Sequence, residues 1–346
     1  MLMAHPVAEN ETSAKPPLVK VRIAGSGAAR GSRTIDSAEI DRAFGMPAGK
    51  LRNRAGIEAV AYVSAEENEL SLAAAATRDA LQAAGASAHE LDWIVATSET
   101  HHNYPSLSAQ LHTKLQARES CAALDVGGGC LGLLSALAVA QSLVVSGQGR
   151  TVMVVSADVH SRALTPGRVA GEFGGLFGDG ASAFVLCDAG DTERAAGYTL
   201  GGFFFGCLGQ YADAVSVTDA KDGGLTLQFD GEALSRAAVT RMEKMISALE
   251  VRSGISRKRV SAFATHQPNP RLVTLLAKQC GVPADLFPDV SRSAGNLGSS
   301  TCGVALHLAL QTAKQVESVA RGAIFLASLG PGLVYGAGWA TAENAV

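Results

Sequence analysis

Two periods of hydrophobic patterning alternate along the chain. Lys20 to Ala24, Trp93 to Thr97, Thr151 to Ser156 and Ile324 to Ser328 are short runs dominated by apolar residues and read as buried strands. Glu69 to Ala84 and Glu232 to Ala248 instead carry apolar residues at helical spacing. Alternation of this kind predicts parallel sheet covered by helices, an α/β fold. The pattern also repeats over a long interval. GLLSALAVAQSLVVSGQGRTVMVVSA begins at Gly132 and GVALHLALQTAKQVESVARGAIFLAS begins at Gly303, an offset of 171 residues. Each reads glycine, apolar helix, short polar link, buried strand. Because the offset is about half of the 346 residues, the chain reads as two similar halves rather than an array of small repeats. The expected organisation is a loose tail over 1–17, a first half over 18–190 and a second over 191–346. Chance likeness between two ordinary helix–strand units is the alternative.

Composition narrows the class. A hydrophobic fraction of 47%, a charged fraction of 18% and 38 glycines describe a compact, tightly turned enzyme and exclude a disordered or fibrous chain. Lys and Arg number 29 against 32 Asp and Glu, so no basic field exists to hold a nucleic acid. Residues 1–17 lack the basic start and apolar core of a secretion signal. The longest apolar segment, Leu131 to Val145, is interrupted by Gly132, Ser135, Gln141 and Ser142 and falls short of the roughly 20 residues of a bilayer span. Six cysteines show no CxxC spacing, give no metal-site pattern, and mostly sit in apolar stretches. A reducing compartment is expected, the cytoplasm, without membrane association.

The chemistry is expected at three places. Ala122 to Ala138 reads AALDVGGGCLGLLSALA, a short strand, three glycines, Cys130 and an apolar helix, which is the pattern of a nucleophile elbow. Glycines permit the sharp turn, and a thiol at a helix start meets unpaired N–H groups and the positive dipole end, both of which favour the thiolate. A buried structural cysteine is the alternative. His266, in AFATHQPNPRL, lies just past an apolar strand, where α/β sites gather, and is followed by two prolines that oppose a helical continuation. Asn296, in SAGNLGSSTCG, lies in a small-residue turn leading into the second of the matching helices. Pseudo-symmetry would then face Cys130 toward Asn296 across one pocket. Taken singly, His266 is equally a satisfied polar residue and Asn296 a turn former.

With these residues in place the chain resembles the ketoacyl-acyl-carrier-protein synthase III branch of the thiolase superfamily, from about Val19 to Ala340. The resemblance rests on RAGI at Arg54 to Ile57, DVGGGCLG, FGDGASA at Phe177 to Ala183, THQPN at Thr265 to Asn269, GNLGSS from Gly295 and SLGPG from Ser328. It implies a thiolase-like five-layer αβαβα fold of two pseudo-repeated halves, usually a homodimer. It also implies that Cys130 takes an acyl group from a coenzyme A thioester while backbone N–H groups of Cys130 and Gly330 hold the oxyanion. His266 and Asn296 would stabilise the enolate formed as malonyl-acyl-carrier protein loses carbon dioxide, and attack on the Cys130 thioester would give a 3-oxoacyl product. No permanently bound cofactor or metal is implied; acyl-coenzyme A is a substrate and acyl carrier protein a partner.

The same resemblance places Arg54, Arg168, Arg236, Asn269 and Arg271 on the coenzyme A and carrier-protein path, the arginines being otherwise plain surface charges. Tyr104, in HHNYPS, matches an aromatic that crosses the dimer to close the partner's acyl pocket, with core packing as the alternative. FGDGASA reads as structural, Asp179 tying a turn near the site. Two departures point to a specialised member, in a secondary pathway rather than housekeeping fatty-acid initiation. Lys50 stands where the family stacks an aromatic on the adenine, and an all-glycine tripeptide before Cys130 loosens the elbow. Three other readings compete. An acyltransferase on the same fold would pass the acyl group to a hydroxyl or amine without decarboxylation. A papain-like protease also orders Cys, His, Asn, but CLG replaces the expected CGSCW-like signature. A silent partner subunit would have no use for the intact triad.

Overall fold

The computed structural model describes residues 19–191, 197–219, 225–229, 231–315 and 322–342; the tail expected over 1–17 lies outside them. The first half contains β1 (Val21–Arg30), β2 (Arg33–Asp36), β3 (Ala59–Tyr62), β4 (Trp93–Thr97), β5 (Ala122–Asp125), β6 (Thr151–Val159) and β7 (Asp179–Asp188). Its helices are α1 (Ser37–Ala43), α2 (Glu69–Ala84), α3 (Leu107–Leu115), α4 (Gly132–Val145) and α5 (Gly171–Gly174). The second half contains β8 (Tyr198–Leu200), β9 (Phe204–Cys207), β10 (Val215–Asp219), β11 (Leu225–Phe229), β12 (Val260–Thr265), β13 (Ala323–Gly330) and β14 (Val334–Ala342). It adds α6 (Gly231–Ser253), α7 (Pro270–Cys280), α8 (Ser291–Ala294) and α9 (Ser300–Lys314).

The apolar runs become strands because they are covered on both faces. Ile94, Val95 and Ala96 of β4 are fully buried, and all nine residues of β6 are buried. The expected helix over Glu69 to Ala84 is α2 without a residue's difference. Its first turn is closed by a capping box, with the Asn68 side chain accepting from the Ser71 N–H and the Ser71 hydroxyl accepting from the Asn68 N–H. The strand expected at Lys20 to Ala24 continues to Arg30, and the helix expected over Glu232 to Ala248 runs from Gly231 to Ser253.

The two halves repeat in topology. In the first, β4 is parallel to β6, β6 antiparallel to β7, and β7 antiparallel to β1. In the second, β12 is parallel to β13, β13 antiparallel to β14, and β14 antiparallel to β8. The matched segments behave alike: α4 leads into β6, and α9 leads into β13. A short antiparallel pairing of β1 with β8 joins the halves into the order β12-β13-β14-β8-β1-β7-β6-β4-β5.

Three apolar clusters separate the layers. Leu133, Leu137, Val304 and Leu306 place α4 and α9 in a central layer between the sheet halves. Leu72 and Leu111 place α2 and α3 on one outer face, and Ile246 and Leu276 place α6 and α7 on the other. The succession is helix, sheet, helix, sheet, helix, a five-layer αβαβα fold. Most of α4 is buried, which explains the long hydrophobic run there, while Ser142 and Val145 near its end are exposed. Among the described residues no helix is long and apolar enough to cross a membrane.

Candidate active site

The parallel strands deliver chemistry at their carboxyl ends, where such sheets open a crevice. Past β5 the chain turns through Val126 to Gly128, and Cys130 lies in the single turn Gly129–Leu131 that precedes α4. Gly128 and Gly129 take φ of +147° and +56°, and a Cβ on Gly129 would come within 2.8 Å of Pro331 Cδ. Gly128 and Gly129 are therefore required for the turn and its packing, whereas a Cβ on Gly127 would meet nothing within 4 Å. Gly330 closes the other side: a Cβ there would lie 2.7 Å from the Gly128 carbonyl oxygen. The Ser328 hydroxyl donates to the Cys130 carbonyl at 2.6 Å, fixing the end of β13 to the elbow.

His266 follows β12 directly, its N–H donating to the Ala327 carbonyl at 3.0 Å. No helix continues from His266 through Pro268, as the prolines lead one to expect, and the next helix starts only at the second of them. Pro270 is the first residue of α7, where a missing N–H costs nothing, and Asn269 caps it by accepting from the Leu272 N–H at 3.0 Å. The imidazole is buried, its Nδ1 lacks a partner among the described residues, and burial pushes its pKa down to about 4. It is neutral at neutral pH. Asn296, 4% exposed, is oriented by its carbonyl oxygen, which accepts from the Gly298 N–H at 3.0 Å and the Thr301 hydroxyl at 3.1 Å. Its backbone is held as well, by Leu176 and Gly178 at 2.8 and 2.9 Å. With the oxygen engaged, the amide nitrogen is the donor that the carboxamide has left.

Glu99, two residues past β4, connects these groups. Its carboxylate lies within electrostatic reach of both the Cys130 thiol and His266. His160, just past β6, presents Nε2 to Glu99 Oε2 at 3.5 Å, and its Nδ1–H donates to the Gly178 carbonyl at 3.3 Å. Although burial alone would lower His160, the Glu99 carboxylate, backed by Asp158 and Asp179, lifts it to about 9. Burial would raise Glu99, but His160 outweighs it and holds the acid below its ordinary value. Asp158 is raised to about 6 by burial and by Glu99. For Cys130, burial and the Glu99 and Asp158 carboxylates push the thiol well above its ordinary pKa. The thiolate expected from the helix start is thus not the resting form, because burial and two carboxylates outweigh a helix end.

The other expected residues are at the surface or structural. Arg54, Arg168, Arg236 and Arg271 are exposed; Arg271 donates to the Asn53 carbonyl at 3.0 Å, which sets α7 beside the turn carrying Arg54. Arg236 lines a groove of about 480 Å³ with Arg241 and Lys244. Lys50 pairs with Glu172 at 3.4 Å. Tyr104 is 96% exposed, which rules out core packing. Asp179 ties two segments together, accepting from the Val63 N–H at 2.8 Å and the Ser161 N–H at 2.9 Å.

Similarity to known proteins identifies the family. The family described as 3-Oxoacyl-[acyl-carrier-protein (ACP)] synthase III matches residues 124–202, and its C-terminal counterpart matches residues 251–341. Beta-ketoacyl-[acyl-carrier-protein] synthase III of Roseobacter denitrificans is 30% identical over 321 residues, 91% of this chain and 97% of that protein. The protein of the same name from Synechococcus elongatus is 31% identical over 333 residues, covering 93% and 96%. The chain belongs to the 3-oxoacyl-[acyl-carrier-protein] synthase III family. Two solved structures share its fold. The synthase III of Aquifex aeolicus superposes with a TM-score of 0.80 at 24% identity, over 93% of this chain and 99% of that one. OleA of Xanthomonas campestris, solved with lauric acid and lauroyl-CoA, gives 0.81 at 18%, over 94% and 99%. The chain is an enzyme of the thiolase-like condensing type.

Glu99, Asp158 and His160 are the site residues that the sequence does not announce. One signal for them exists: each lies at or just past the end of a buried run, Trp93 to Thr97 or Thr151 to Ser156, as His266 does after its own strand.

Proposed function

We propose that this synthase III family member takes an acyl group from a coenzyme A thioester onto Cys130. It then condenses that group with the enolate released when malonyl-acyl-carrier protein loses carbon dioxide. The product is a 3-oxoacyl thioester, and the acyl-coenzyme A is a substrate rather than a resident cofactor. The observation that carries this is the clamp on Asn296 beside a neutral His266. A carboxamide fixed through its oxygen, together with a neutral imidazole, offers N–H donors to an enolate oxygen, and such donors are worth about 3 to 4 kcal/mol of barrier each. Backbone N–H groups of Cys130 and Gly330 would hold the oxyanion of the acylation step. Arg54, Arg168, Arg236 and Arg271 would guide coenzyme phosphates or the carrier, and Asn269 would help by holding the start of α7. The two halves, 18–190 and 191–346, would act as one body in a cytoplasmic homodimer, each Tyr104 reaching toward the other copy's acyl pocket.

Intact mass after incubation with a panel of acyl-coenzyme A donors should show one acyl adduct, absent in Cys130→Ala. Adding malonyl-carrier protein should then give a 3-oxo product. Asn296→Ala should keep the adduct and lose condensation by about 100-fold or more. An adduct that survives Cys130→Ala, or no ketone with any malonyl donor, would overturn this function. A second reading is favoured by Glu99: a carboxylate in the pocket would serve transfer to a hydroxyl or amine, where a proton must be removed and no carbon dioxide is lost.

A further inference from the structure

A thiol that rests protonated must give its proton to something as it attacks a thioester, and the pocket limits the choice of acceptor. Asp158 lies close, but its oxygens are occupied: Oδ1 accepts from the Glu99 N–H at 2.6 Å, and Oδ2 from the Ser299 hydroxyl at 2.6 Å and the Ser300 N–H at 3.3 Å. Glu99 Oε1 is buried and has no hydrogen-bond partner among the described residues, which leaves it the free oxygen nearest the Cys130 thiol among these carboxylates. The carboxylate faces Cys130 from the elbow, Asp158 and His160 from the end of β6, and His266 from the end of β12. His160 is locked in turn by the Gly178 carbonyl, so its other nitrogen is aimed at Glu99.

We propose that Glu99 is the general base of acylation, taking the Cys130 proton, with His160 as the partner that positions it. It rests on the acyl-loading half of the function proposed above and not on the condensation. As the Cys130 sulfur forms its bond to the thioester carbonyl carbon, the S–H proton passes to the Glu99 carboxylate. The carbonyl then re-forms, the bond to the departing coenzyme sulfur breaks, and Glu99 returns the proton to that thiolate. No oxidant, reductant or further reactant is needed, and the carboxylate is regenerated for the second step.

The test sets two reactions of the same sulfur against each other. Alkylation of the Cys130 peptide by iodoacetamide, followed by mass spectrometry, reports the thiolate fraction; acylation by acetyl-coenzyme A or S-acetyl-N-acetylcysteamine, followed by rapid quench, reports base-assisted attack. Glu99→Gln removes the charge that suppresses the thiolate, so alkylation should quicken at pH 7 while acylation slows by about 100-fold or more. Wild-type acylation should be nearly flat from pH 7 to 8.5, whereas in Glu99→Gln it should rise about tenfold per pH unit as free thiolate takes over. Glu99→Asp should restore part of the rate, which also guards against a misfolded Gln variant. If both reactions quicken, Glu99 merely restrains the cysteine; if both slow or neither changes, its role is structural; either result overturns the proposal. Glu99-dependent acylation without a 3-oxo product would keep it and sink the condensation, and condensation with Glu99-independent acylation would do the reverse. A wild-type protein that accepts an acyl group from neither donor overturns both.

Discussion

His160 and His266 are both buried, yet their surroundings send them in opposite directions. His266 has no carboxylate in contact and becomes neutral, while His160 faces Glu99 and stays charged. His160 is raised from 6.5 to about 9, so its contribution to stability is complete below pH 6.5 and lost as the pH rises through 9. The loss is at most about 3 to 4 kcal/mol, because each pH unit between the two values corresponds to about 1.4 kcal/mol. Urea unfolding at pH 6.5 and pH 9 should show this decline in the wild type and a clearly smaller one in His160→Gln. Equal declines would mean that the imidazolium is not bound by Glu99. Cys130, His266 and Asn296 are legible as residues because glycines, prolines and small side chains mark turns after apolar runs. Glu99 is not, since ETHHNYPS reads as an ordinary polar loop. The protonation state of Cys130 is hidden for the same reason: a helix start is local, whereas the carboxylates that outweigh it arrive from the ends of other strands.

At the scale of elements, α7 carries its cap on a residue that the family resemblance assigns to the coenzyme path. The Asn269 side chain is engaged with the Leu272 N–H, so Asn269→Ala should cost about 1 kcal/mol in unfolding free energy, with Asn269→Ser recovering most of it. If instead stability is unchanged and KM for the acyl donor rises tenfold, the residue touches ligand and the cap is incidental. The long helices and buried strands are readable because each repeats its period over enough residues. β7 is less visible: FGDGASA looks like a turn, yet from Asp179 onward it is a ten-residue strand in the middle of the sheet. The small residues at its start suit close packing: a Cβ on Gly180 would come within 2.8 Å of Leu297, and Ser182 lies against Gly303 of α9, contacts that only the neighbouring layers reveal.

For the whole molecule, β5 is the last strand in the sheet order, and Leu124 on it is 38% exposed. An open edge with an apolar side chain is a template for pairing with another strand, and it immediately precedes the Cys130 elbow. In the homodimer proposed above, this edge would pair with its copy and bring Tyr104 under cover. Leu124→Lys should therefore shift a dimer toward monomer in sedimentation velocity and reduce acylation of Cys130 at the same time. A Leu124→Lys protein that sediments as the wild type does would remove β5 from the interface.

The sequence by itself determined the period of each long element, the duplication into two halves and the glycine turn that presents Cys130, because these are properties of neighbouring residues. Which strand ends lie side by side was decided only in the tertiary structure. That juxtaposition set the charge of His160, the neutrality of His266 and the protonation of Cys130, since electrostatic interaction depends on distance and burial, neither of which is written in the order of the chain.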